Sequence, residues 1–126
     1  MAIRQEILYA ARAQKIYEAL IQSEKFAAVT NAPAEIDAQD GGAFSCFDGQ
    51  ITGRTIELVP NERSVQAWRV KAWEPGVYSI VKFTLVPDGD KTKVVLEQSG
   101  YPADAESHLG PGWGKMYWEP LKQYLK

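Results

Sequence analysis

Near the end of the chain, Trp113, Met116, Tyr117, Leu121, Tyr124 and Leu125 recur at i, i+3, i+4, i+8, i+11 and i+12, one continuous apolar stripe on a helix. Left in water, each large side chain of such a stripe would forgo ~1.5–3 kcal/mol. The stripe therefore demands a broad apolar partner, and the rest of the chain must supply it. Pro120 lies inside the stripe. It removes one helical hydrogen bond at a typical cost of ~3 kcal/mol, which predicts a kink.

The partner surface is legible upstream. Ile3 to Tyr9 reads as a first strand, with Ile3, Ile7 and Tyr9 on one face. Ala13, Ile16, Tyr17 and Leu20 then give a short amphipathic helix. Ser23 is expected to cap a second short helix carrying Phe26 and Val29, which Asn31-Ala32-Pro33 should stop. From Ala34 onward the pattern is that of strands separated by turn signals. Gly41-Gly42 precedes Ala43 to Phe47, and Asp48-Gly49 is a two-residue hairpin signal. Ile51 and Gly53 share one parity while Ile56 and Leu58 have the other, so a bulge is expected near Gly53. Pro60-Asn61, Pro75-Gly76 and Asp88-Gly89 mark later turns. Between them Ser64 to Lys71 alternates, Val77, Ser79, Val81, Phe83 and Leu85 share one face, and Thr92, Val94, Leu96 and Gln98 line the last strand. Strands joined by tight turns make an antiparallel meander. The expected class is α+β, a bent sheet with a long C-terminal helix in its hollow and two short helices after the first strand.

Composition narrows the function classes. With 126 residues, 45% of them apolar, the chain buries enough surface to fold without disulfide or structural metal. No repeat or linker-like stretch appears, so residues 1–126 read as one domain. A net charge of -2 with scattered Lys and Arg argues against nucleic acid. No apolar run approaches the ~20 residues of a membrane span. The opening Met1-Ala2-Ile3-Arg4-Gln5-Glu6 predicts no signal peptide, and the single Cys46 excludes an internal disulfide. A cytoplasmic location is the resulting expectation. Cys46 itself, in an apolar alternation, reads as a buried thiol.

An ordered set of elements carries a resemblance. Asn31-Ala32-Pro33-Ala34, Gly41-Gly42-Ala43-Phe44, Phe47 to Gly53 (FDGQITG) and Leu58-Val59-Pro60 come in sequence. Trp68-Arg69, Trp73, Gly76, Gly100-Tyr101-Pro102, Gly112-Trp113 and Leu121…Tyr124-Leu125 follow. Together they resemble the C-terminal-like domain of the heat-shock protein 90 ATPase activator, in its stand-alone bacterial form, within the START-like (Bet v 1-like) superfamily. The resemblance spans nearly the whole chain. It implies a helix-grip fold with an apolar cavity between sheet and C-terminal helix. The full activator carries its principal chaperone-stimulating motif on a separate N-terminal domain, so the resemblance transfers fold and cavity and no catalytic residue.

Individual residues then sort by chemistry. GPGWGK, from Gly110 to Lys115, lacks the glycine and Ser/Thr positions of a phosphate loop, and Pro111 has no N–H to offer; it reads as the entry to the last helix. One histidine and one cysteine make no standard zinc set. His108 reads as a solvated loop residue near the cavity mouth, placed to contact a ligand. Asp37, Asp40, Asp104 and Glu106 read as solvated charges, so paired-carboxylate chemistry has no support. Gln98 faces inward by parity, and two readings stay open. Its amide bonds to polar tips of the last helix, or it joins Ser79 in orienting a ligand. Trp68, Phe83, Trp113 and Tyr117 fill a core or wall a cavity, with core favoured. Trp118 falls off the stripe and is expected at the surface; the oligomeric state stays open.

The candidate ligand-binding set is thus Trp68, Ser79, Phe83, Gln98, His108, Trp113 and Tyr117, with no cofactor and no metal. The expected function is a non-enzymatic binding module for a small apolar or aromatic molecule. The alternative is a co-chaperone-like module acting on a heat-shock protein 90 ATPase, and a cyclase or hydratase comes last.

Overall fold

The computed structural model describes residues 2–126. Seven antiparallel strands form one sheet in the order β1-β7-β6-β5-β4-β3-β2. They are β1 (Ala2–Tyr9), β2 (Glu35–Ile36), β3 (Ala43–Cys46), β4 (Ile51–Val59), β5 (Arg63–Val70), β6 (Ser79–Asp88) and β7 (Lys91–Ser99). Two helices, α1 (Ala13–Ile21) and α2 (Ser23–Thr30), leave the sheet after β1. The chain ends in a helical rod built from a 3₁₀ turn (Ala103–Ala105), α3 (Glu106–Trp113), a π turn (Gly114–Trp118) and α4 (Glu119–Tyr124). The sheet curls around this rod, and the core lies between them. Alternation produces that core: Val81, Phe83 and Leu85 of β6 and Val94, Leu96 and Gln98 of β7 are buried, and of their intervening neighbours only Val95, on the opposite face, is also buried. No helix among the described residues is long and apolar enough to cross a membrane.

Several turns follow the expected chemistry. Gly76 has φ +83° and Val77 N–H donates to Glu74 O at 3.1 Å, the form of a type II turn with Pro75 first. Asp88 pairs with Lys91, so the β6–β7 turn centres on Gly89 and Asp90, one residue later than expected.

Other expectations are corrected. Ser23 does not cap α2 through its side chain; its Oγ instead pairs with the backbone N–H and C=O of Ile36, fastening the helix to β2. The β3–β4 connection is not a two-residue hairpin. Cys46 pairs with Ile51, leaving four loop residues, of which Phe47, Asp48 and Gly49 all have positive φ. This geometry turns the Phe47 ring inward, 5.7 Å from Phe26 and 5.5 Å from Tyr117. The bulge in β4 lies between Thr55 and Glu57, and Ile56 is left 49% exposed instead of rejoining the inner face. Gly53 stays in register opposite Trp68 for a different reason: a Cβ there would sit 1.8 Å from Ala67 O and 2.8 Å from Phe44 Cζ. The glycine permits close approach and does not mark the bulge.

The C-terminal helix differs most. It begins well before Trp113, so His108 and the Gly110–Lys115 run lie within helix and not in a loop. Pro120 has no N–H to give the preceding turn, and the backbone widens there: Glu119 N–H donates to Gly114 O, five residues back. The extra residue in that turn rotates the buried face. Met116, expected inside, is 42% exposed, whereas Trp118, expected outside, is buried at 6%.

Candidate functional site

Where the rod leaves the sheet beside the β3–β4 loop, a cleft of about 210 Å³ opens. Three pieces of chain wall it. The loop and the start of β4 give Phe47, Gln50 and Ile51, and β5 gives Trp68 and Val70. The rod supplies His108, Leu109, Gly112, Trp113, Met116 and Tyr117. No Asp, Glu, Lys or Arg is among these residues. A second groove of about 520 Å³ runs between β1 and α4, but Glu119, Lys122 and Lys126 line it. Charged walls hold water well, so the smaller apolar cleft is the stronger candidate for a ligand site.

The floor of the cleft is a set of aromatic contacts. Trp68 stacks on Trp113 with centroids 5.3 Å apart, and Tyr117 lies 4.4 Å from Trp113. Phe83 meets Trp113 edge-on at 5.8 Å from behind. Beneath the rings runs a chain of hydrogen bonds. Trp113 Nε1 donates to Gln98 Oε1 at 2.8 Å, Gln98 Nε2 donates to Ser79 Oγ at 3.1 Å, and Ser79 Oγ donates to Trp68 O at 2.9 Å. Trp68 Nε1 faces the Tyr117 hydroxyl at a long 3.5 Å. The donors and acceptors of Gln98 and Ser79 are thereby engaged within the protein, and these two residues, with Phe83, lie behind the cleft wall and not on it. Trp68, Trp113, Tyr117 and His108 are brought together at the cleft.

The ionisable groups are placed accordingly. Burial raises the Tyr117 hydroxyl far above the usual phenol range, with neighbouring Cys46 adding to the effect and Trp68 opposing it. Burial also pushes the Cys46 thiol up to about 12. His108 is exposed at the rim. The carboxylates singled out in the sequence lie elsewhere. Asp40 Oδ1 accepts from Leu58 N–H at 3.0 Å, and Asp37 Oδ2 accepts from Gln39 at 2.9 Å. Glu106 Oε1 accepts the Tyr101 hydroxyl at 2.6 Å, which fastens the start of α3 to the end of β7. Asp104 is exposed on the 3₁₀ turn. No cluster of three or more His, Cys, Asp or Glu suited to a metal forms among the described residues.

Phe47, Gln50, Ile51, Val70, Leu109, Gly112 and Met116 are wall residues outside the candidate set drawn from the sequence. Ile51 and Val70 are recoverable as the pair that ends the β4–β5 ladder on the inner face. Phe47 carries no such signal, because a loop turns it inward. Gly112 matters through the side chain it lacks.

Comparison with known proteins bears on this geometry. Residues 10–126 match the family described as activator of Hsp90 ATPase homolog 1-like protein. The human activator of 90 kDa heat shock protein ATPase homolog 1 is 33% identical over 110 residues, which are 87% of this chain and 32% of that protein. The chain therefore spans about a third of the length of the curated relatives it matches. Among solved structures, an HSP90 activator from Plasmodium falciparum superposes with a TM-score of 0.94 at 22% identity, over 99% of this chain and 96% of that one. The Aha1 dimer from Colwellia psychrerythraea gives 0.85 at 20% identity, over 99% and 96%. At these identities the structural matches establish a shared helix-grip fold.

Proposed function

Because the chain belongs to the activator of Hsp90 ATPase homolog 1-like family, we propose that it is a non-enzymatic binding module whose cleft between sheet and C-terminal helix takes one small apolar or aromatic group. The observation that carries this reading is the uncharged cleft in front of Trp68 and Trp113. A concave, mostly apolar lining is the usual form of a small-molecule site. Groups able to move protons at neutral pH are sparse there. Of the titratable side chains on the wall, Tyr117 is kept protonated by burial and His108 stands at the rim. A cyclase or hydratase therefore has the least support.

Native mass spectrometry of protein purified from its own host, together with displacement of an environment-sensitive dye, tests the proposal. A bound apolar molecule, or saturable displacement, is the expected result. A ligand-free protein that takes up no dye would remove it.

A second reading has one specific observation in its favour, the 33% identity to a protein named as an activator of a heat-shock ATPase. On that reading the apolar group belongs to a heat-shock protein 90-type chaperone, and this chain modulates its ATP turnover. Titrating the chain into the purified chaperone tests it. Unchanged ATP turnover at saturating ratio would exclude it.

A further inference from the structure

Resting on the binding-module reading, we infer that the cleft selects neutral, compact aromatic molecules of one or two fused rings, and rejects fatty acids and organic anions of similar size. Volume sets the first limit. The cleft measures about 210 Å³, below the ~300–1,000 Å³ of ordinary drug-sized sites, while an enclosed apolar cavity of ~150 Å³ suffices for benzene. A sterol or an extended acyl chain exceeds this volume and would protrude from the opening; one or two rings are held within it.

Charge sets the second. No acidic or basic side chain lines the cleft. The wall tryptophans have their indole N–H groups turned inward, toward Gln98 and Tyr117. An anion seated here would leave water and find no counter-charge, only the electron-rich faces of aromatic rings, an uncompensated desolvation. Gln50 and His108 stand exposed at the edge of an almost wholly apolar lining, so a ligand hydroxyl is met at the opening and not at the floor.

Shape sets the third. The lining mixes aromatic side chains, Phe47, Trp68, Trp113 and Tyr117, with aliphatic ones, Ile51, Val70 and Leu109. A flat ring makes offset or edge contacts with the first set and dispersion contacts with the second. Met116, half-exposed beside the opening, has the flexible, polarizable side chain that covers an aromatic edge.

The probes are 2-naphthol (neutral), 2-naphthoate (anion) and dodecanoate (an aliphatic anion), titrated at pH 7 by calorimetry into the full chain. Naphthol is expected to bind about tenfold or more tightly than each anionic probe. In wild-type protein its addition should shift the methyl resonances of Ile51, Leu109 and Met116. Gly112→Leu is designed to plug the cleft: a Cβ at this helical glycine meets no atom within 4 Å, so the variant should keep its parent's circular dichroism and melting temperature while losing naphthol binding. Binding of naphthoate or dodecanoate as tight as naphthol would overturn the selectivity and spare the binding module. So would chaperone stimulation that Gly112→Leu abolishes in a protein that binds no naphthol. Shifts confined to residues outside the cleft, with Gly112→Leu binding normally, would overturn the site. If no probe and no dye bind, and the native protein carries no ligand, the underlying reading fails and this inference falls with it.

Discussion

Replacing Gln98 with leucine tests how the rod is seated on the sheet. The Gln98 side chain is 1% exposed, accepts the Trp113 indole proton at 2.8 Å and donates to Ser79 Oγ at 3.1 Å. Leucine has a similar volume and no polar atoms, so packing changes little and the loss lies in hydrogen bonding. Ser79 Oγ keeps its bond to Trp68 O. The Trp113 N–H keeps nothing, and a buried donor without a partner costs ~1–3 kcal/mol. At an unfolding entropy of ~2.1 cal/mol/K per residue, 1 kcal/mol over a chain of 126 residues corresponds to about 4 °C. Tm should therefore fall by about 4–12 °C. Urea melts followed by far-ultraviolet circular dichroism should show a lower midpoint at an unchanged slope; indole fluorescence is the wrong probe, because Trp113 itself is perturbed. Adding Trp113→Phe removes the orphaned donor, so the double variant should lose less than the sum of the single ones. A Gln98→Leu protein as stable as its parent would refute the reasoning.

Three further outcomes are expected. Gly53→Ala places a methyl 1.8 Å from Ala67 O, so β4 and β5 must part; a loss of about 3 kcal/mol or more, or failure to accumulate soluble protein, should appear in expression and melting trials. Gly110→Ala and Gly114→Ala, at helical positions where a Cβ meets nothing within 4 Å, should each stabilise by about 0.5–1 kcal/mol in thermal melts. Cys46, its thiol raised by burial to about 12, should resist thiol reagents in the native state and react only as fast as the protein unfolds. Because its folded value lies above the unfolded one, its contribution to stability is complete below the ordinary thiol range and is lost as pH climbs toward the raised value. Tyr101, raised to about 12 chiefly by its hydrogen bond to Glu106, acts in the same direction. Denaturant midpoints should thus drop on the alkaline side, and Cys46→Ser should reduce the slope of that drop.

The architecture was legible because alternation and turn chemistry are local. The inward sets of β6 and β7 were read from parity alone, and Pro75-Gly76 announced its own turn. Gln98 was placed correctly inside, although two partners competed for it, and only the approach of Trp113 decides between them. What escaped depends on contacts distant in sequence. Gly53 looked like a bulge because nothing local records how near Ala67 O and the Phe44 ring come. Phe47 looked like the end of a strand, yet three successive positive-φ residues turn its ring to Tyr117, seventy positions away. Met116 and Trp118 were exchanged because a fixed period of 3.6 was carried through a turn that does not keep it.

That widened turn has a consequence for how the molecule can vary. One inserted position divides the rod into two segments joined by the stacking of Trp113 on Trp118 at 5.9 Å. Upstream of that joint, Leu109 and Gly112 address the open cleft. Downstream, Trp118 Nε1 donates to Gln5 Oε1, the Trp118 carbonyl accepts from the Tyr9 hydroxyl, and Leu121 is buried. The lower segment is a fixed bolt to the first strand, and the upper one is a panel that can be re-cut. Substitutions at Leu109 and Gly112 that reshape the cleft need not disturb the bolt, so the form of the cleft can vary while the closure stays untouched.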